Sequence, residues 1–159
     1  MLRKPAIIGT AIALLGSATG GVTTALASGD ITAPETIISI EHELKVGFVD
    51  VGKKGFSPGD EVMVVESMFD ETDTNRIGTN RVLLTVHLRQ WAWVSALLTI
   101  DGRGAIVVEG AVPITESTTS FDLPITGGTG EFANVRGTIH DEFRSLSSHR
   151  TRLTMNLIP

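Results

Sequence analysis

From Glu35 onward the chain breaks into short apolar stretches separated by turn chemistry, and no stretch keeps a helical period. Ile38, Ile40, Leu44, Val46 and Phe48 alternate with Ser39, Glu41, Glu43 and Lys45, a period of two that predicts a first strand. Gly52 to Asp60 reads as a loop on glycine and proline grounds, and Glu61 to Phe69 as a second strand. The polar run Asp70 to Asn80, which contains Gly78, reads as another loop. Arg81 to Arg89 and Trp91 to Ile100 follow as a third and a fourth strand. Asp101-Gly102-Arg103-Gly104 predicts a hairpin turn, because Asp-Gly supplies the positive φ such turns need. Ala105 to Val112 then returns as a fifth strand. Thr119 to Thr126 is a sixth, in which Pro124 marks an edge, a bulge or a strand end. Gly127 to Gly130 is a glycine-rich bend, and Val135 to Phe143 and Thr151 to Ile158 complete the set.

Several of these strands are apolar on both faces. Val82-Leu83-Leu84, Ala96-Leu97-Leu98 and Ala105-Ile106-Val107-Val108 have no polar face to turn to water. A barrel with a filled lumen buries one face, and a two-sheet sandwich also buries only one. The other face needs a cover, and the simplest is a second copy of the chain. The expectation is an all-β, eight-stranded antiparallel β-barrel over residues 35–159, assembled as a homo-oligomer.

The amino-terminal region has a different composition. Arg3 and Lys4 precede an apolar run from Ala6 to Leu15, and Ala25-Leu26-Ala27 forms a small-residue cleavage site ahead of Ser28. Residues 1–27 therefore read as a secretory signal peptide and 28–34 as a short extension, which makes the expected protein secreted. The apolar run falls short of the roughly 20 residues that span a bilayer, so no integral membrane segment is expected after cleavage. There is no cysteine, which excludes a lipoprotein anchor and a disulfide framework. With 13 Lys and Arg against 18 Asp and Glu, the formal charge is -5. A basic footprint for nucleic acid is missing, and no nucleic-acid partner is expected.

The segment Phe121-Asp122-Leu123-Pro124-Ile125-Thr126-Gly127-Gly128-Thr129-Gly130-Glu131-Phe132-Ala133-Asn134-Val135-Arg136-Gly137 narrows the reading. It resembles the signature of the allene oxide cyclase and dirigent-type barrels: a strand ending in Gly-Gly-Thr-Gly, then an aromatic, then Arg-Gly. Gly104 to Gly110, Gly59-Asp60 and Ile77-Gly78 resemble further family segments in the same order, so the likeness spans most of residues 40–157. The resemblance implies an eight-stranded antiparallel barrel, commonly a trimer, that binds a small hydrophobic molecule in its lumen. It also implies steering of a cyclisation, isomerisation or coupling by confinement and a few polar groups, with no redox cofactor. Allene oxide cyclases use a carboxylate on the first strand; Ile40-Glu41-His42-Glu43 is a loose counterpart here, and the alternation sets Glu41 and Glu43 opposite the apolar positions. The dirigent tyrosine position is unmatched, since the chain has no tyrosine. Gly127 to Gly130 itself reads as backbone geometry, with Thr129 free to bond a nearby amide; the Lys-Ser/Thr pair of a phosphate loop is missing.

Candidate chemistry rests on polar residues that share a parity with apolar ones. His42 falls with Ile38, Ile40, Leu44 and Val46, which predicts an inward imidazole able to act as a base or orient a ligand. Glu66 lies between Val64 and Met68, and Glu109 between Val107 and Ala111. An inward carboxyl in an apolar cavity is raised in pKa and can protonate a substrate oxygen. The alternatives are a satisfied core or interface histidine for His42, an outward, solvated side chain for each glutamate, and for Glu109 an interface hydrogen bond. Trp91 and Trp93 share a face and are candidate ligand-stacking or interface residues. Arg136 belongs to the family motif and is a candidate for ligand contact or for pairing with carbonyls near the bend. His87, His140 and His149, with Asp141 and Glu142, match no zinc or iron spacing, so no metal is expected. No nucleophile elbow or dinucleotide fingerprint occurs, and no cofactor is expected. Two functions follow: a lumen that binds and converts a hydrophobic molecule, or a non-catalytic secreted barrel for carriage or assembly. The first requires a cavity with an inward carboxylate or histidine, and the second is compatible with a lumen filled by apolar side chains.

Overall fold

Eight strands form along the alternating stretches. They are β1 (Glu35–Val49), β2 (Glu61–Phe69), β3 (Arg76–Leu88), β4 (Trp91–Ile100), β5 (Gly104–Pro113), β6 (Ser120–Gly130), β7 (Arg136–Ser145) and β8 (Arg150–Ile158). The computed structural model describes residues 30–88, 90–115, 117–145 and 149–159, and the expected signal peptide lies outside them. Each strand pairs antiparallel with its sequence neighbours, and β1 also pairs with β8, closing the barrel. No helix among the described residues is long and apolar enough to cross a membrane.

Residues directly opposite in an antiparallel ladder share a face, so the register sorts every strand into lumen and exterior. In β4, Ala92, Val94, Ala96, Leu98 and Ile100 point inward and are buried, whereas Trp91, Trp93 and Leu97 face out. Ile106, Val108 and Val112 of β5 and Leu153, Met155 and Leu157 of β8 complete the inner layer. Burying a side chain of this size stabilises by roughly 1.5–3 kcal/mol.

One end of the barrel is plugged. Phe132 and Val135, from the β6–β7 turn, are fully buried there. Arg103, in the β4–β5 turn, lies 4.8 Å from the Phe132 ring centre. Its guanidinium donates to both Glu35 carboxylate oxygens at 2.8 Å and to Glu131 at 2.7 Å. These bonds hold the Glu35 carboxyl below its ordinary range, with burial opposing them, and they join the start of β1 to two turns. The Asp101-Gly102 turn forms as expected, with Gly102 at φ 77.

Three differences from the sequence reading have local causes. First, β3 begins at Arg76 rather than Arg81, because Gly78, Thr79 and Asn80 pair with both β2 and β4 despite their polarity. Second, Gly127 to Gly130 are not a bend outside the sheet but the end of β6, paired with Gly104 to Val107. A Cβ on Gly128 would strike the backbone oxygens of Phe132 and Ala105, so the motif is a close approach of two strands. Thr129 Oγ1 accepts from the Ala105 amide at 3.3 Å. Third, Leu44 is a bulge: Glu43 pairs with Glu66 and Lys45 with Val65. The extra residue reverses the alternation part-way along β1.

Pro124 lies inside β6, beside a bulge and the end of its ladder with β5. The β5–β6 ladder shifts register at Val107/Val108 and stops at Ile125, while Ser120 to Ile125 remain paired with β7. Pro124 has no amide to offer β5. Beyond it the two strands separate toward the open end of the barrel.

Candidate functional site

The open end leads into a cavity of about 350 Å³ in the lumen. Its walls are apolar: Val64, Val82, Leu84, Val94, Ala96, Leu98, Leu123, Ile139 and Leu153 line it, with Phe121, Phe143, Pro113, Ile114, Thr115 and Thr118 at the mouth. Phe121 and Phe143 meet edge to face at 5.9 Å. Three polar side chains interrupt the lining inside the barrel, namely Glu66, Asn80 and Asp141, with Thr151 beside them.

Glu41 stands behind this group. The bulge at Leu44 is the reason. Before it, Ile37, Ser39, Glu41 and Glu43 share a face with Met155, Leu153, Thr151 and Glu66, which is the lumen. Glu41 is 1% exposed. The Asn80 amide donates to Glu41 Oε2 at 3.2 Å and to Glu66 Oε2 at 3.1 Å, using both of its N–H groups. Burial pushes the Glu41 carboxyl well up, and the Glu66 charge, a hydrogen bond shared with Glu66 and the Asp141 charge push it further, against the Asn80 bond. Glu66 is also raised by burial, but the bonds from Glu41 and Asn80 oppose the rise. Burial thus raises both carboxyls of this coupled pair, Glu41 more strongly than Glu66.

Asp141 reaches the cavity from β7. Burial, and then the charge of Glu66, push its carboxyl up to about 7, with His140 opposing. Three oxygens in this group have no protein partner among the described residues: Glu41 Oε1, Asn80 Oδ1 and Asp141 Oδ1. A carboxyl that titrates near neutrality in an apolar chamber can give or take a proton.

Of the residues anticipated from sequence, only Glu66 lies in the cavity. His42 shares the face of Ile38 and Ile40, as its parity requires, but that face is the outer one. There its Nε2 pairs with Asp73 at 2.6 Å and its ring stacks on Phe69 at 4.5 Å. Asp73 and Glu71 also receive Arg150 and Arg152, so the 70–75 loop lies over the outside of β1 and β8. Glu109 is exposed and accepts from Ser95 Oγ at 2.9 Å; because β5 is apolar on both faces, parity alone did not decide its direction. Trp91 and Trp93 are outside as well, 47% and 44% exposed. Arg136 caps the β6–β7 turn, donating to the carbonyls of Val135 at 2.9 Å and Asn134 at 3.3 Å.

Sequence reasoning passed over Glu41, Asn80 and Asp141 as lumen groups. For Asp141 a signal was present, since it falls between Ile139 and Phe143 on one parity. Asn80 likewise precedes Val82 and Leu84 at spacing two. Glu41 gave no such signal, because the bulge hides its true face.

No family model matches the chain, and no curated protein matches it. Solved structures do. A pyocyanin demethylase superposes with a TM-score of 0.68 at 20% identity, over 78% of this chain and 100% of that one. A pterocarpan synthase dirigent protein gives 0.62 at 18% identity, over 79% and 94%. An exo-specific intermolecular Diels–Alderase gives 0.64 at 12% identity, over 79% and 98%. The chain thus has the closed eight-stranded barrel fold shared by dirigent proteins and Diels–Alderase-type cyclases.

Proposed function

We propose that the barrel takes a small hydrophobic molecule into its lumen and steers a cyclisation or isomerisation of it by confinement and proton transfer. The observation that carries this reading is an apolar chamber whose polar end holds carboxyls raised by burial, Asp141 among them to about 7. The walls hold the substrate in a folded conformation and exclude water, which lowers the entropic part of the barrier. Asp141, titrating near 7, protonates a substrate oxygen or π-bond when neutral and withdraws a proton when charged. Asn80 holds Glu66 and Glu41 at fixed positions, where a charged carboxyl would stabilise positive charge developing on the substrate. The names of the neighbouring structures, a demethylase, a dirigent protein and a Diels–Alderase, support a lumen used for chemistry on small molecules.

Secretion after removal of residues 1–27 is part of the proposal, as is assembly into a homo-oligomer, by resemblance a trimer. Met63, Leu83, Trp93 and Leu97 are each at least 37% exposed on the outside of β2–β4, and this contiguous apolar surface supports a self-contact there.

The test is mass spectrometry of small molecules that co-purify with the mature barrel, compared with Ala96→Trp, which fills the chamber. A hydrophobic molecule retained by the parent and lost from the variant is expected, with Asp141→Asn retaining it but failing to convert it. Retention that is the same in parent and Ala96→Trp would refute a lumen site.

A further inference from the structure

The polar end of the chamber is unbalanced in a way that selects a ligand. Both Asn80 N–H groups are taken by Glu41 and Glu66, which leaves Asn80 Oδ1 without a partner on a side chain that is 4% exposed and lines the cavity. Asp141 Oδ1 is in the same condition on β7, across the barrel from β3. Among the described residues, no lysine, arginine or histidine lines the cavity. The side chains around it that titrate are Glu41 and Glu43 from β1, Glu66 from β2 and Asp141 from β7, whereas β3 and β8 contribute the neutral Asn80 and Thr151. Among the described residues, the nearby basic side chains are engaged elsewhere: His140 with Asp122, His149 with Glu43, Arg150 with Asp73 and Arg152 with Glu71. A ligand group placed here meets free acceptors and negative charge and finds no cationic partner. Two acceptors of different chemistry, an amide oxygen and a carboxylate, suit a head group with several N–H donors.

We propose that the deep end of this chamber recognises an organic cation, a compact apolar molecule ending in an amidinium or ammonium group that donates to Asn80 Oδ1, Asp141 and Glu66. This rests on the reading that the lumen binds a small hydrophobic molecule, and it names the class of that molecule. Carboxylate-bearing ligands are rejected by the same groups, because no side chain here neutralises them. Binding of the cation holds Asp141 in its charged form, so the complex takes up fewer protons than the free protein and affinity rises with pH through the range where Asp141 titrates.

The experiment is calorimetric titration of the mature protein with three ligands of one shape: naphthamidine, naphthamide and naphthoate. An amidine stays protonated throughout, so any pH dependence belongs to the protein. The expected result is naphthamidine binding at least about tenfold tighter than naphthamide at about pH 8, with naphthoate weakest. That preference should shrink several-fold by about pH 5.5 and be largely lost in Asp141→Asn, whose fold is checked by circular dichroism. Ala96→Trp should abolish binding of all three, which places them in the lumen. Equal affinity for amidine and amide, or tighter binding of naphthoate, would overturn the cation while leaving a hydrophobic chamber. Failure of all three to bind would overturn both readings.

Discussion

Asp141→Asn should make the protein more stable at neutral and alkaline pH and leave it nearly unchanged in acid. The ordinary aspartate value of 3.8 describes the unfolded chain, and burial in the barrel raises it to about 7. Between those values the folded state binds more protons than the unfolded one, so stability falls as pH rises from about 4 through about 7 and then levels off. A rise of this size corresponds to about 4 kcal/mol at 1.4 kcal/mol per tenfold, which sets the upper end of the effect. Asparagine is isosteric and uncharged at every pH. Its amide can also donate toward the Glu66 carboxylate that opposes Asp141 in the parent. The gain expected at about pH 8 is therefore about 2–4 kcal/mol, shrinking toward zero at about pH 4. Urea unfolding of parent and variant across this range measures it as the difference at each pH, which includes the relief of Glu41 and Glu66 from the Asp141 charge. A variant that is destabilised at pH 8, or a difference that stays flat with pH, would show that Asp141 is charged and satisfied in the native barrel. A gain in stability accompanied by loss of turnover is the pattern of a group kept for chemistry at a cost to the fold.

Gly128→Ala should destabilise by about 3 kcal/mol or more, since the atoms its Cβ would strike include two backbone oxygens that cannot move independently; chemical denaturation checks it, and an effect below about 1 kcal/mol would contradict the close strand approach. Asp60→Ala should cost about 2–4 kcal/mol, because the buried carboxylate accepts from the Val51 amide at 2.7 Å and the Ser57 amide at 2.5 Å, and both donors would lose their partner. Glu35→Gln should cost only about 1 kcal/mol despite its two bonds to Arg103, as both groups are about one-third exposed and Arg103 keeps Glu131. Leu97→Arg together with Trp93→Arg should yield a folded monomer in light scattering, and an unchanged mass in solution would exclude β4 from any self-contact.

The strands were legible because their inner faces are built almost wholly from aliphatic residues. β2 and β4 begin and end where periodicity and turn residues put them, and the apolar outer faces of β4 and β5 were visible as excess hydrophobicity. Legibility failed for the polar residues that serve the lumen, Glu66 excepted. Asn80 made the start of β3 look like loop, and Asp141 was grouped with its sequence neighbours His140 and Glu142 rather than with Ile139 and Phe143 on its own face. Both errors come from treating polarity as a mark of solvent, which holds for an outer surface and fails for a binding chamber.

The bulge at Leu44 shows why the site was harder to read than the fold. Without it, one alternation would run the length of β1, and Val46 and Phe48 would share a face with Ile38 and Ile40. The inserted residue lets Val46 and Phe48 lie on the lumen side near the open end while Ser39 and Glu41 lie on the lumen side deeper in. The same insertion turns Ile40 and His42 outward, where Phe69 and the 70–75 loop meet them; Ile40 is fully buried on that outer face. A sequence read for period two sees five apolar residues in step and places His42 with them. The structure divides that run at Leu44, and the division is what brings the Glu41 carboxyl against Asn80 and Glu66. One unpaired residue in a strand thus decides which acidic group enters the chamber, and it does so without leaving any mark in composition or spacing.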